Sequence, residues 1–199
     1  MGDPRKQRKK YETPMHPWKS ERINEESGLE KEFGLKNKTE IWKMKSILKK
    51  IKVQAKALIT KTGKQAEKEE QLFRKRLEKM GLVQEGAKLE NALDLSVKEI
   101  LERRLQTQVF RRGLAKSMDQ ARQFITHGHV MLNERKVTAP SYILAAGEEA
   151  KIVFRSASTL ADAEHPERKV ALKKGDAAAK AEVKEEEESE VTEDDTAKK

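Results

Sequence analysis

From Thr39 onward, apolar residues recur at alternating steps of three and four: Ile41, Met44, Leu48, Ile51, Ala55 and Leu58. Lys43, Lys45, Lys49, Lys50, Lys52 and Lys56 fill the positions between them. This period predicts an amphipathic helix with Thr39 as N-cap and Gly63 as its stop. A second helical stretch carries Ala66, Phe73, Leu77 and Met80 on one face and closes at Gly81. Two helices with facing apolar stripes predict a hairpin. The lysine face is either ordinary solvation or phosphate contact, and the pattern leaves both open.

Residues 96–128 use one device twice. "SVKE" (Ser96 to Glu99) and "SMDQ" (Ser117 to Gln120) both fit the capping box, in which a serine accepts from the third helical amide and the later side chain reaches back. Each opens a predicted helix ending at a glycine, Gly113 or Gly128. The first buries Val97, Ile100, Leu101, Leu105 and Val109, and the second Met118, Ala121 and Ile125 with Phe124 adjoining. After Gly128 the period shortens to that of strands. "HVMLN" and "KVTAP" predict a hairpin around Asn133-Glu134-Arg135, and "SYIL" and "KIVF" are separated by a turn at "AAGEE".

The flanks lack such periods. Residues 1–38 hold three of the five prolines and many cations, with Tyr11, Trp18 and Phe33 scattered among them, and predict an extended basic arm. Cations interleaved with aromatics favour an arm that orders on nucleic acid. Residues 157–199 end in a charged low-complexity run, predicted to be a largely disordered acidic tail. The expected class is α+β: arm (1–38), small helical domain (39–95), a compact helix-helix-β-hairpin module (96–156) and tail (157–199).

Charge then narrows the partners. The 199 residues carry 43 Lys+Arg against 34 Asp+Glu, a net +9, and only 36% are hydrophobic. Residues 171–199 alone hold six Lys against ten Asp/Glu, a balance of −4, which leaves +13 on the rest. A small body so charged points to a polyanion, whose counterions are released on binding. No apolar run approaches the ~20 residues of a membrane span, and no secretory signal is evident. Zero cysteine excludes disulfides and thiolate metal sites. These features point to a cytoplasmic protein without cofactors.

Within 96–156, eleven Lys/Arg face six Asp/Glu. Forked guanidinium groups at element ends suit a folded phosphate backbone, with serine, asparagine and backbone amides filling in. The candidate nucleic-acid contacts are Arg104, Arg111, Arg112, Lys116, Ser117, Arg122, Gln123, His129, Asn133, Arg135 and Lys136, with Arg5, Lys6, Arg8, Lys9, Lys10 and Trp18 from the arm. "HGHVMLN" (127–133) raises a metal site as an alternative, but His16 and His165 lie in segments read as loose. Gly128 explains the spacing better, as a helix-to-strand corner in which His129 faces either RNA or the interior. Four scattered histidines with Asp94 and Asp119 form no convincing acid-base set, so no enzyme is expected.

The stretch "RRGLAKSMDQARQFITHGHVMLNERKVTAPSYIL…GEEAKIVF" resembles the S-four RNA-binding module. "LERRLQTQVFRRG", "KEFGLKNKTEIWKMKSILKK" and "KYETPMHPW" further resemble the archaeal and eukaryotic branch of the small-subunit ribosomal S-four family, and the short length favours the archaeal type. The resemblance implies direct, early binding to small-subunit ribosomal RNA beside neighbouring ribosomal proteins. It also implies a place near the mRNA entry side, possible mRNA contact and an influence on decoding accuracy. A free RNA-binding quality-control or stress factor built on the same module is the alternative. Glu134 stands where many relatives have glycine, so a longer or different hairpin turn is expected.

Overall fold

The computed structural model describes residues 9–84, 86–162 and 165–166. Among the described residues, seven α-helices and a small antiparallel sheet make it α+β. The chain forms two compact units, and the boundary falls within one helix: Met1–Gln108 with Pro140–Lys151, and Val109–Ala139 with Ile152–Lys199.

In the first unit, α2 (Lys38–Ile59) is the hub on which α1 (Ser20–Glu32), α3 (Lys64–Lys79), α4 (Asn91–Asp94) and α5 (Val97–Glu102) pack. Its stripe Ile41, Met44, Leu48, Ile51 and Ala55 is buried, together with Phe33, Phe73, Leu77, Ile100 and Leu101. Each large side chain so buried contributes roughly 1.5–3 kcal/mol. The cap is Asn37 rather than Thr39, its side chain accepting from the Glu40 amide at 3.3 Å. The helix stops at Ile59, and Gly63 (φ 121°) instead starts α3. Gly81 (φ 64°) closes α3 as expected, and the Leu82 amide reaches back to the Leu77 carbonyl.

The arm is not extended throughout, because α1 lies inside it. Its most deeply buried residue is a glutamate, which hides the apolar period. Glu26 is fully buried and accepts from Arg22 Nη1 at 2.8 Å, Lys45 Nζ at 2.9 Å and Trp42 Nε1 at 3.3 Å. Burial pushes its carboxyl up, but hydrogen bonds from Lys45 and Arg22 and their charges outweigh this and hold it below the ordinary 4.5. A depressed carboxyl stabilises the fold above pH 4.5, and that contribution is lost as pH falls through the lower folded value. Glu26→Gln should therefore cost about 2 kcal/mol near neutrality. Urea titrations of both proteins should show the gap closing in acid; a gap independent of pH would refute this account.

The helix expected across 97–113 is two. α5 ends at Glu102 and α6 (Leu105–Arg111) restarts after Arg103–Arg104. Here the Leu105 and Gln106 amides donate to the Tyr142 and Pro140 carbonyls at 2.8 and 3.4 Å, while the Leu144 amide donates to the Arg103 carbonyl at 2.9 Å. Thr107 Oγ1 and Gln108 Nε2 in turn satisfy the Leu101 and Glu102 carbonyls at 2.8 and 2.9 Å. Backbone groups that a continuous helix would pair internally are thus taken by residues 140–144 and by side chains. "SYIL" accordingly forms no strand, only a single bridge from Ile143 to Arg104.

In the second unit, α7 (Met118–His127) precedes a three-stranded sheet of order β2-β1-β3: β1 (Val130–Leu132), β2 (Arg135–Lys136) and β3 (Ile152–Phe154). Met131 pairs Lys136 in β2 and Val153 in β3, both antiparallel. Val130, Leu132 and Ile152 face a core with Val109, Ala115, Ala121, Ile125 and Leu160. The expectation of a longer hairpin turn fails. Leu132 pairs directly with Arg135, and only Asn133 (φ 49°) and Glu134 (φ 65°) lie between, the signature of a two-residue turn with both φ positive. Glutamate bears the left-handed conformation at roughly 1–2 kcal/mol, a cost the paired strands on either side offset.

Candidate nucleic-acid interface

The second unit gathers most of the expected contacts. Between residues 109 and 139 six Lys/Arg stand against two Asp/Glu. Arg111 and Arg112 are exposed at the end of α6, where Gly113 (φ 68°) turns the chain and Ala115 anchors it in the core. Lys116 and Ser117 follow at the start of α7. Ser117 Oγ accepts from the Gln120 amide at 3.2 Å, the expected cap. The Gln120 side chain accepts from the amide of Lys116 at 2.7 Å, one residue earlier than a reciprocal capping box requires. Both ends of this tight corner are thereby fixed, which holds Lys116 and Ser117 in place beside the exposed arginines.

One turn into α7, Arg122 is half-buried and Gln123 is exposed. Arg122 leans on the unit, with Nε buried, so its guanidinium is presented in a restricted orientation. At the far end of α7, Gly128 (φ 77°, ψ 30°) is the left-handed cap, and its amide returns to the Ile125 carbonyl at 3.0 Å. A Cβ at Gly128 would overlap the Lys136 side chain, so Lys136 lies across the helix terminus, where a cation complements the dipole. Asn133, Arg135 and Lys136 are exposed at the hairpin. Arg155, just past β3, is a further exposed cation of this unit, outside the set that the sequence predicts. Its only sequence signal was its position following the last strand residue.

His129 supports the corner from within. Its Nδ1 lies 2.8 Å from Ser158 Oγ, its ring meets Phe124 edge-on at 6.2 Å, and its carbonyl accepts from the Arg155 amide at 2.8 Å. The ring of His127 is 6.0 Å away, but among the described residues no three His, Cys, Asp or Glu side chains are placed to share a metal. Among the described residues, no helix is long and apolar enough to cross a membrane.

Arg104 must be withdrawn from the contact set. It lies in the first unit at 1% exposure, with Nη2 2.6 Å from Glu40 Oε2. Lys9 and Lys10 are exposed in the first unit, Trp18 is 90% exposed, and Arg5, Lys6 and Arg8 lie outside the described residues. The acidic run of the tail does so as well.

Residues 103–149 match the S4 domain family. Small ribosomal subunit protein uS4 of Nanoarchaeum equitans is 48% identical over 170 residues, covering 84% of this chain and 94% of that protein. The uS4 protein of Methanothermobacter thermautotrophicus is 47% identical over 160 residues, 80% of this chain and 94% of its own length. That of Ignicoccus hospitalis is 48% identical over 158 residues, 79% and 95% of the two chains. At this identity and coverage the chain belongs to the small ribosomal subunit protein uS4 family, in its archaeal form.

Proposed function

We propose that this chain is a structural, non-catalytic component of the small ribosomal subunit that binds small-subunit ribosomal RNA directly. The observation that carries the reading is near-full-length identity to ribosomal relatives, 94% of whose sequence is matched. The basic surface of the second unit supports it chemically. Arg111, Arg112, Lys116, Ser117, Arg122, Gln123, Asn133, Arg135 and Lys136 offer phosphate and 2′-hydroxyl donors on a fixed framework, as shape-based RNA recognition requires. Lys9 and Lys10, with Arg5, Lys6 and Arg8, extend the contact through the arm. The family resemblance supports binding early in assembly beside other ribosomal proteins, a position near the mRNA entry side and an influence on decoding accuracy.

The purified chain should protect a discrete segment of archaeal small-subunit RNA in the absence of other proteins, with an affinity that falls steeply with salt. In cells it should sediment with the small subunit in constant proportion. Equal affinity for unrelated RNA, or ribosome association only under stress, would overturn the reading and favour a free quality-control factor.

A further inference from the structure

The two long helices of the first unit carry their charge differently. α3 mixes six Lys/Arg with four glutamates; Arg74 Nη2 meets Glu70 one turn away at 2.6 Å, and Lys61, just before the helix, meets Glu69 at 3.1 Å. Such alternation of sign is how an exposed helix face ordinarily supports itself. α2 has seven lysines and no acid after Glu40, which Arg104 holds. At about 100° per residue, Lys38, Lys45, Lys49, Lys52 and Lys56 fall in one sector of about 60° and make a ridge about 27 Å long. Lys45 reaches Glu26, and Lys49 pairs with Glu12 where both side chains are exposed and the pair is weak. Among the described residues, Lys38, Lys52 and Lys56 have no acidic partner. Like charges three and four residues apart repel, so the ridge works against the free helix instead of supporting it.

The ridge borders an open groove. Lys45, Lys49, Lys52 and Lys56 line it with Leu48, Val53 and Val97, and no acid, arginine or aromatic residue does. The aliphatic floor suits lysine stems, which lie along apolar surface while the ammonium stays in water. Composition then chooses the partner. Protein interfaces are depleted in lysine and enriched in arginine and aromatic residues, the reverse of what lines this groove. Ammonium point charges in a row suit a phosphate backbone read without regard to sequence, because each one set against a phosphate releases a counterion. Residues 38–56 lie outside the 103–149 segment that matches the S4 domain family, so the ridge is a contact additional to that module.

We infer that the α2 ridge, with Lys49, Lys52 and Lys56 at its centre, binds the phosphate backbone of the RNA as a second contact, additional to the arginine surface of the second unit. The inference deepens the ribosomal reading above and rests on it. Lys49→Gln/Lys52→Gln/Lys56→Gln keeps good helix formers and spares Lys45, on which Glu26 depends. On a small-subunit RNA fragment its logarithmic salt slope should be shallower than wild type by about two to three, with binding roughly tenfold weaker or more at moderate salt. Lys49→Arg/Lys52→Arg/Lys56→Arg, which keeps the charges, should retain the wild-type slope. Hydroxyl-radical footprinting of the glutamine variant should show the loss of a protected RNA segment that Arg111→Ala/Arg112→Ala leaves protected. Unchanged slope and footprint in the folded glutamine variant overturn the ridge as an RNA contact. So does normal binding to naked RNA with poor retention in assembled subunits, which would assign the ridge to an acidic protein. Equal binding of the unaltered chain to unrelated RNA would refute the ribosomal reading alone, and the slope difference on either RNA would still decide the ridge.

Discussion

Glu40→Ala is expected to cost about 3–5 kcal/mol of stability, a large effect for a residue that is itself only partly buried. The reason lies with its partner. Arg104 is 1% exposed, cannot shed its proton, and holds Glu40 Oε2 at 2.6 Å. Its Nε and Nη1 make no other hydrogen bond, so removal of the carboxylate strands a charge in the interior. The pair itself is worth much less, because burying both charges is costly to begin with. Glu40→Ala combined with Arg104→Met should accordingly recover most of the loss. Both tryptophans, Trp18 and Trp42, lie in the first unit, so their fluorescence during urea unfolding reports the relevant transition. A single variant within about 1 kcal/mol of wild type, or a double variant no better than the single, would show that Arg104 is not held in this way.

The second large effect concerns RNA. Arg111→Ala/Arg112→Ala/Arg122→Ala should weaken binding to a small-subunit RNA fragment by about a hundredfold or more at moderate salt. The logarithmic salt slope should become shallower by about two to three, one step per phosphate contact removed. Arg111 and Arg112 are exposed, so their loss leaves the core intact. Arg122 is half-buried with Nε enclosed, so its contribution to packing must be separated from its charge. The Arg111→Ala/Arg112→Ala double variant serves this purpose and should alone lower the slope by about two. Unchanged affinity and slope in a folded double variant would remove Arg111 and Arg112 from the interface.

Much of this molecule was legible because it is local. The α2 stripe, the Ser96 and Ser117 caps, Gly81 and Gly128 as helix ends and the presence of a hairpin after "HVMLN" all depend on residues within a few positions of each other. Where expectation and structure part, the deciding partner is remote. α1 was hidden because its buried position is Glu26, which Lys45 and Trp42, 19 and 16 residues on, help Arg22 make tolerable. The turn at Asn133-Glu134 follows from strand pairing on both sides of it, which overrides the reluctance of glutamate to adopt positive φ. His129 could not be assigned from "HGH" because its partner, Ser158, is 29 residues away.

The amino-acid sequence by itself determined the class of the protein, its helical faces and caps, its charge and the surface chemistry offered to RNA, since period, capping and net charge are properties of neighbouring residues. Only the tertiary structure decided that the helix breaks at Arg103–Arg104, that "KIVF" pairs with β1, and that Arg104 belongs to the core. Each depends on hydrogen bonds and ion pairs formed across long stretches of chain, by the 140–144 segment, by β1 and by Glu40, whose backbone and charge demands no local pattern records.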